Sequence, residues 1–375
     1  MKHKIYADNA ATTRLDMAAF EVMKPFLLEE YGNPSQPYSL SRGPKKAIKE
    51  ARETIASCIG ALPEEIFFTS CGTESDNWAI KGSAFCDDQK RTTITSSIEH
   101  HAILNACASI QRNGYPVVYL APSADGVISV SNLSQIITNQ TRLTSIMFAN
   151  NEIGTIQPIK ELCTVAHAHG SMFHTDAVQA VGHVPIDVHK LGVDMLSASA
   201  HKFNGPKGVG FLFIRKGTEL PSFIDGGVQE NSLRAGTENV AGIVGMAQAL
   251  KENCENIYNF HDKMFELEDI LIRFLRNAGL DFIRNGAKEH IPGNVSLSFL
   301  GSDGEMLLHR LDLMGIAIST GSACDSKNTQ VSHVIKAIGI PKEYARGTIR
   351  ISFGKYNTKD DAEVVGLALA KILKG

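Results

Sequence analysis

Between residues 64 and 215 the chain repeats one unit: a short run rich in β-branched and aromatic residues, then a segment that reads as helix. The runs are Ile66–Thr69, Thr92–Ser96, Val117–Leu120, 145–148, 172–175, Met195–Ser199 and Gly210–Ile214. Strands separated by helices pair through crossovers rather than hairpins, so the pattern predicts an α/β fold on a seven-stranded, mainly parallel, doubly wound sheet. In such sheets ligands bind at the carboxyl ends of the strands. Several runs end there on polar residues: Cys71-Gly72-Thr73, Glu99-His100-His101, Asn150-Asn151-Glu152, Asp176 and His201-Lys202.

Past residue 240 the pattern changes. One long helix is predicted over 241–278, with Met264, Leu267, Ile270 and Leu271 at helical spacing, and it reads as a bridge between two domains. The runs 295–300, 316–319 and 348–353 alternate as strands with one exposed face do, and a helix over 360–373 closes a small α+β domain. At 375 residues the chain exceeds the ~250 to 300 at which one core stops growing. The expected division is a large domain over 15–260 and a small one made of 1–14 and 261–375.

Composition removes several function classes. Lys plus Arg at 37 against Asp plus Glu at 40 gives a formal charge of −3, too balanced for the basic surface that direct nucleic-acid binding needs. No apolar run approaches the ~18 residues of a membrane helix, and the first residues lack the apolar stretch of a secretory signal, so a cytoplasmic protein with no membrane partner is expected. The seven cysteines are scattered, odd in number and without a CxxC pair, which argues for a reducing compartment and against a disulfide framework or structural zinc. A dinucleotide site is excluded because the glycine run 205–210 precedes a strand instead of following one.

The most specific run is 197–208, in which Lys202 follows a strand amid small and hydroxylic residues; 26 positions upstream, Asp176 ends another strand. A pyridoxal phosphate enzyme needs such a pair, a lysine to hold the cofactor and a carboxylate against the pyridine nitrogen. Either residue alone reads as a surface charge or a helix cap. Gly72 and Thr73, between a strand and a helix, offer free N–H groups and a helix dipole to an anion, and Thr73 with Asp76 also has the spacing of a capping box. The pair His100-His101, and Cys163 with His167 and His169, have only weak metal-ligand spacing, and no metal is expected.

Taken together the motifs are highly specific. From 6–13 to Arg350, through 32–35, 68–77, 150–154, 234–239 and Gly321-Ser322-Ala323-Cys324, the chain resembles the cysteine desulfurases of the NifS and IscS type, class V members of the fold-type I pyridoxal phosphate enzymes. The resemblance implies a homodimer that converts L-cysteine to L-alanine and passes the sulfur, as a persulfide on Cys324, to an acceptor protein for iron–sulfur cluster assembly, tRNA thiolation or DNA phosphorothioation. It assigns Lys202 to the cofactor aldehyde, Asp176 to the ring nitrogen and Gln179 to the phenolic oxygen. Gly72, Thr73, Ser199 and His201 fall to the phosphate, with Thr237 reaching in from a second subunit. His100 would stack on the ring and exchange protons, a role suited to a group titrating near neutrality. Arg350, with Asn151, would grip the substrate carboxylate. The run 226–233 departs from the family in lacking a third glycine, and the segment 325–332 has the long form of the branch that delivers sulfur on a swinging loop.

Cys324 separates this reading from its alternatives, a class V aminotransferase or a selenocysteine lyase. It sits between Gly321-Ser322-Ala323 and the polar 325–329, too hydrophilic to be core. An unassisted thiol is only about 3% ionised at neutrality, so a nucleophilic role needs a nearby base or cation. A non-catalytic member of the fold would be marked by loss of Lys202 or Asp176, and both are present.

Overall fold

A computed structural model describes residues 4–86, 90–320 and 331–375. Its strands are β1 (Ile5–Tyr6), β2 (Ile66–Thr69), β3 (Thr92–Ser96), β4 (Val117–Leu120), β5 (Thr141–Ser145), β6 (Met172–Asp176), β7 (Met195–Ser199), β8 (Gly210–Ile214), β9 (Phe282–Asn285), β10 (Asn294–Phe299), β11 (Ile316–Ala317) and β12 (Thr348–Ser352). β2 to β8 form the seven-stranded sheet in the order β2-β8-β7-β6-β5-β3-β4. All pairings are parallel except those of β8, which runs against both β2 and β7. The order turns back between β3 and β5, the switch point at which crevices open in doubly wound sheets.

β7 is buried along its whole length and β6 from Phe173 to Asp176, as expected for strands covered by helices on both faces. β5 starts four residues earlier than the sequence pattern places it, because Thr141, Leu143 and Thr144 pair with β3 despite the polar residues among them, with an irregularity at Arg142; Ile146 and Phe148 continue the ladder to the backbone of β6. Phe173, fully buried on β6, is among the largest side chains of this core. Phe173→Ala is expected to cost ~3 to 5 kcal/mol in urea unfolding, against within about 0.5 kcal/mol for Val118→Ala on the exposed edge strand; equal losses would show that the central strand does not carry the core.

The single helix predicted over 241–278 is two. Val240–Glu255 and Ile257–Asn277 meet at Asn256, whose side-chain amide donates to Glu252 O at 2.9 Å. The first helix buries Ile243, Met246 and Leu250 in the core of the large sheet, whereas the second buries Met264, Leu267, Leu271 and Leu275 in a separate core with Ile5, Val295, Leu297, Ile349 and Leu369. One straight helix could not present apolar faces to both.

In the second core β10 pairs antiparallel with β9 and β12, β1 pairs parallel with β11, and the helix Lys359–Lys374 packs alongside. The alternation of β10 and β12, read as one exposed face, is instead buried on both faces. The polar faces are closed by mutual bonds: Ser298 and Thr348 hydroxyls lie 2.7 Å apart, and the Asn285 amide donates to Ser296 and Ser298 at 3.0 and 2.9 Å. Arg350 belongs to this buried polar face, opposite Ser296. Val334, Ile335, Ile338 and Ala345, late in the chain, pack into the first core.

Candidate active site

The carboxyl ends of β2, β3, β6 and β7 open on one cavity of about 260 Å³, and Arg350 reaches it from the second sheet. Each strand end supplies its residue through a short local device. β2 runs through Cys71 directly into the helix Gly72–Ala84, so the first turn of that helix faces the cavity. Cys71, not Thr73, is its N-cap, and the Thr73–Asp76 capping box does not form. β6 ends on Asp176; β7 ends on Ser199 and passes into a 3-10 turn, Ala200–Lys202, that carries the lysine.

Lys202 Nζ donates to Ala10 O at 2.6 Å and Ala11 O at 2.9 Å, and Gln179 Nε2 donates to the same Ala10 O at 3.0 Å. The N-terminal segment thus crosses the mouth of the site. Asp176 is 6% exposed and accepts the Val178 N–H at 2.9 Å. Burial pushes its carboxyl up to about 6, opposed by that bond and by the Lys202 ammonium.

His100 is the N-cap of the helix His101–Arg112, its Nδ1 accepting the Ala102 N–H at 3.2 Å. A backbone N–H can only donate, so Nδ1 carries no proton and a neutral ring bears its proton on Nε2. Burial, reinforced by Lys202, His101 and His333, drives this group down to about 4. The expectation that His100 titrates near neutrality is therefore corrected: in this pocket it is a neutral imidazole, because water is excluded and cations stand nearby. His201, its Nδ1 3.1 Å from Thr12 Oγ1, is held down to about 4 by burial as well, with Lys202 and Lys207 adding to it.

Arg350 is 4% exposed; Nη2 pairs with Asp8 Oδ1 at 2.6 Å and Nη1 donates to Asn151 O at 2.8 Å. Asn151 reaches the arginine through its backbone carbonyl. Asn150, next to it, clamps the turn, its Oδ1 accepting the N–H groups of Glu152 and Ile153 at 2.9 and 3.1 Å. Arg350 Nε is buried with no hydrogen-bond partner among the described residues.

Thr237 is not brought to this cavity. It lines another, of about 130 Å³, with Ser70, Glu230 and Arg234. There the run 226–233, which lacks a third glycine, puts Glu230, Asn231 and Ser232 at φ of 45°, 57° and 66°, a left-handed backbone that favours glycine. The Arg52 guanidinium, 2.7 Å from Glu230, and the Phe68 N–H, donating to Glu230 at 3.0 Å, hold it there. Cys324 and most of 325–332 lie outside the described residues.

Of the residues with weak metal-ligand spacing, Cys163 Sγ lies 3.8 Å from His167 Nε2, and three histidines have other contacts. His101 packs on His333 with ring centres 5.1 Å apart, His167 Nε2 lies 2.8 Å from Asp194 Oδ2, and His169 Nδ1 lies 3.0 Å from Val165 O. Asp76, which the sequence reading left out of the site, lines the cavity one helical turn from Gly72. That i, i+4 spacing was the available signal.

The residues fit pyridoxal phosphate. Ser199 Oγ is buried with no hydrogen-bond partner among the described residues, beside the helix start at Gly72. A Cβ at Gly72 would lie 2.5 Å from Val178 Cγ2 and 3.5 Å from Ser199 Cβ, filling the hollow where a phosphate meets that helix. An amine in the turn after β7 and an acid at the end of neighbouring β6 line the same space.

Fold and site together define a fold-type I pyridoxal phosphate enzyme, and residues 5–365 match the aminotransferase class-V family. The chain is 48% identical to a cysteine desulfurase IscS of Dictyoglomus turgidum over all of this chain and 95% of that one. Among solved structures it is similar to a NifS-like protein, with a TM-score of 0.94 and 39% identity over 99% of this chain and all of the other. It is also similar to SspA in complex with cysteine, with a TM-score of 0.84 and 37% identity over 95% and 100%. The chain belongs to the cysteine desulfurases of the class-V aminotransferase family, which depend on pyridoxal phosphate.

Proposed function

We propose that the chain takes free L-cysteine to L-alanine and that the cavity between Asp176, Lys202 and Arg350 is where it does so. The observation that carries this reading is the placement of an amine, a buried acid and a buried guanidinium on one cavity whose far end is an anion hollow at Gly72 and Ser199. Bound pyridoxal phosphate supplies an aldehyde that condenses with amines and a ring that draws electrons from the adjoining carbon.

The chain's own residues do the rest. Lys202 would hold the cofactor, and its amine, when free, would move the α-proton of the substrate. Asp176 would hold the ring nitrogen, Gln179 the phenolic oxygen, and Gly72, Thr73, Ser199 and His201 the phosphate. Thr237 of a second subunit would complete that shell in a homodimer, which accounts for its absence from the cavity of one chain. His100, neutral and with its proton on Nε2, would lie against the cofactor ring and donate at Nε2. Cys324 attacks the substrate sulfur: the new S–S bond forms as the C–S bond breaks, the electron pair stays with the carbon fragment, and a proton completes alanine. The persulfide then passes to an acceptor protein in the cytoplasm.

Arg350 is the substrate anchor in this scheme, its unpartnered Nε and a neighbouring Nη forming a fork for a carboxylate. Arg350→Ala is expected to load cofactor yet lower kcat/KM for cysteine by about 30- to several-thousand-fold, since removing one member of a buried charge pair costs ~2 to 5 kcal/mol. Arg346→Ala, at an exposed pair with Asp303, is the control. Near-wild-type turnover in both variants would place the anchor elsewhere.

A further inference from the structure

The helix Gly72–Ala84 places Asp76 on the floor of the cavity beside Asp176. The two acids are 1% and 6% exposed, and ligand-type atoms of Asp76, Asp176 and His100 lie within 4.8 Å of one another. Two negative charges so close in so dry a site do not coexist, so one of the pair keeps its proton.

The groups facing each acid decide which. Asp176 accepts a backbone N–H and stands in the field of the Lys202 ammonium. Asp76 faces Asp176, Glu99 and Cys71, with the Ser197 hydroxyl as its polar contact, and its Oδ1 has no hydrogen-bond partner among the described residues. His174 Nε2 is 3.9 Å from that oxygen, beyond hydrogen-bond reach. Behind Ser197 the polar groups continue in line: its hydroxyl is 2.9 Å from His174 Nε2, and His174 Nδ1 is 2.9 Å from Ser145 Oγ, with all three residues sealed from water.

We propose that Asp76 is a neutral carboxylic acid heading the buried chain Asp76, Ser197, His174, Ser145, and that it is a positioning residue whose neutrality confines the negative charge of the site floor to Asp176. Burial and the facing Asp176 work in the same direction, raising the Asp76 carboxyl well above the usual range against the opposing Ser197 hydrogen bond, and burial holds the His174 imidazole down to about 3. His174 is then neutral, with one proton to place. The chain gives that proton a direction. Because Oδ1 has no hydrogen-bond partner among the described residues, a protonated Asp76 keeps its O–H on the other oxygen and donates to Ser197, Ser197 donates to His174 Nε2, and the His174 proton sits on Nδ1, donated to Ser145. An ionised Asp76 reverses every donor and puts the proton on Nε2.

The inference deepens the cofactor reading, since a single charge at Asp176 is what a protonated ring nitrogen pairs with, but its test uses no turnover and does not require the cofactor. The full chain labelled with 15N-histidine and 13C-aspartate is measured with and without added pyridoxal phosphate. The expected result is an Nδ1–H tautomer at His174 and an infrared band of a protonated carboxyl that shifts in D2O and is lost in Asp76→Asn, whose amide still donates to Ser197 and preserves the tautomer. An Nε2–H tautomer, or no protonated-carboxyl band removed by the substitution, overturns the proposal. Should Asp76→Asn not fold, the wild-type tautomer decides alone. A failed cofactor assignment would show separately, as an absent yellow form.

Discussion

Lys202→Ala is expected to yield a folded, colourless protein, where the wild type incubated with pyridoxal phosphate is yellow. Lys202 is the amine that the 3-10 turn after β7 delivers to the cavity, and the neutral carbonyls of Ala10 and Ala11 hold it there. Alanine leaves Asp176 facing the pocket without that cation, so the carboxyl, already raised, rises further. Cysteine turnover should fall by at least ~10²-fold, the usual contribution of a positioned proton-transfer group, with loss of covalent attachment added to it. Borohydride treatment of the loaded wild type should leave the cofactor's mass on the peptide containing Lys202. A wild type that stays colourless, or a yellow Lys202→Ala with undiminished turnover, would remove Lys202 from the cofactor.

Cys324→Ser should separate cofactor chemistry from sulfur transfer. The variant keeps Lys202, Asp176 and Arg350, so it should still turn yellow and change its spectrum on adding L-cysteine. Alanine and sulfide release should nonetheless fall to near background, because a serine hydroxyl at neutrality is a far weaker nucleophile toward sulfur than a thiolate. In the wild type, mass spectrometry after cysteine treatment should find one added sulfur atom on the Cys324 peptide, removable by reductant. Cys107 and Cys163 serve as internal controls: both are buried, and burial pushes each thiol up to about 12. Alanine formation at the wild-type rate in Cys324→Ser would favour the aminotransferase or selenocysteine lyase reading of the same scaffold.

Much of the site was legible because its residues sit at strand ends, and strand ends are marked by local pattern. Lys202, Asp176, Ser199, His100 and Gly72 each end or follow a β-rich run, so a doubly wound sheet had to bring them to one edge. Residues fixed by long-range approach were harder to read. Ala10 and Ala11 bind Lys202 from far along the chain, and Asp8 holds Arg350 across 342 positions. Asp76 looked like a capping residue because local spacing says so, yet the helix begins at Gly72 and turns Asp76 into the cavity.

The sequence by itself determined the element types, the crossover topology and the set of chemical groups available, since periodicity of 2 or 3.6 and the placement of lysine, acid and glycine are local properties. Tertiary structure decided protonation and environment. Whether a polar strand face meets water or a second sheet, as for Ser298, Thr348 and Arg350, depends on what packs against it. The neutrality of His100, the raised carboxyl of Asp176 and the break at Asn256 have the same origin: burial and charge at each point come from segments distant in sequence, and desolvation acts only once the chain has closed around them.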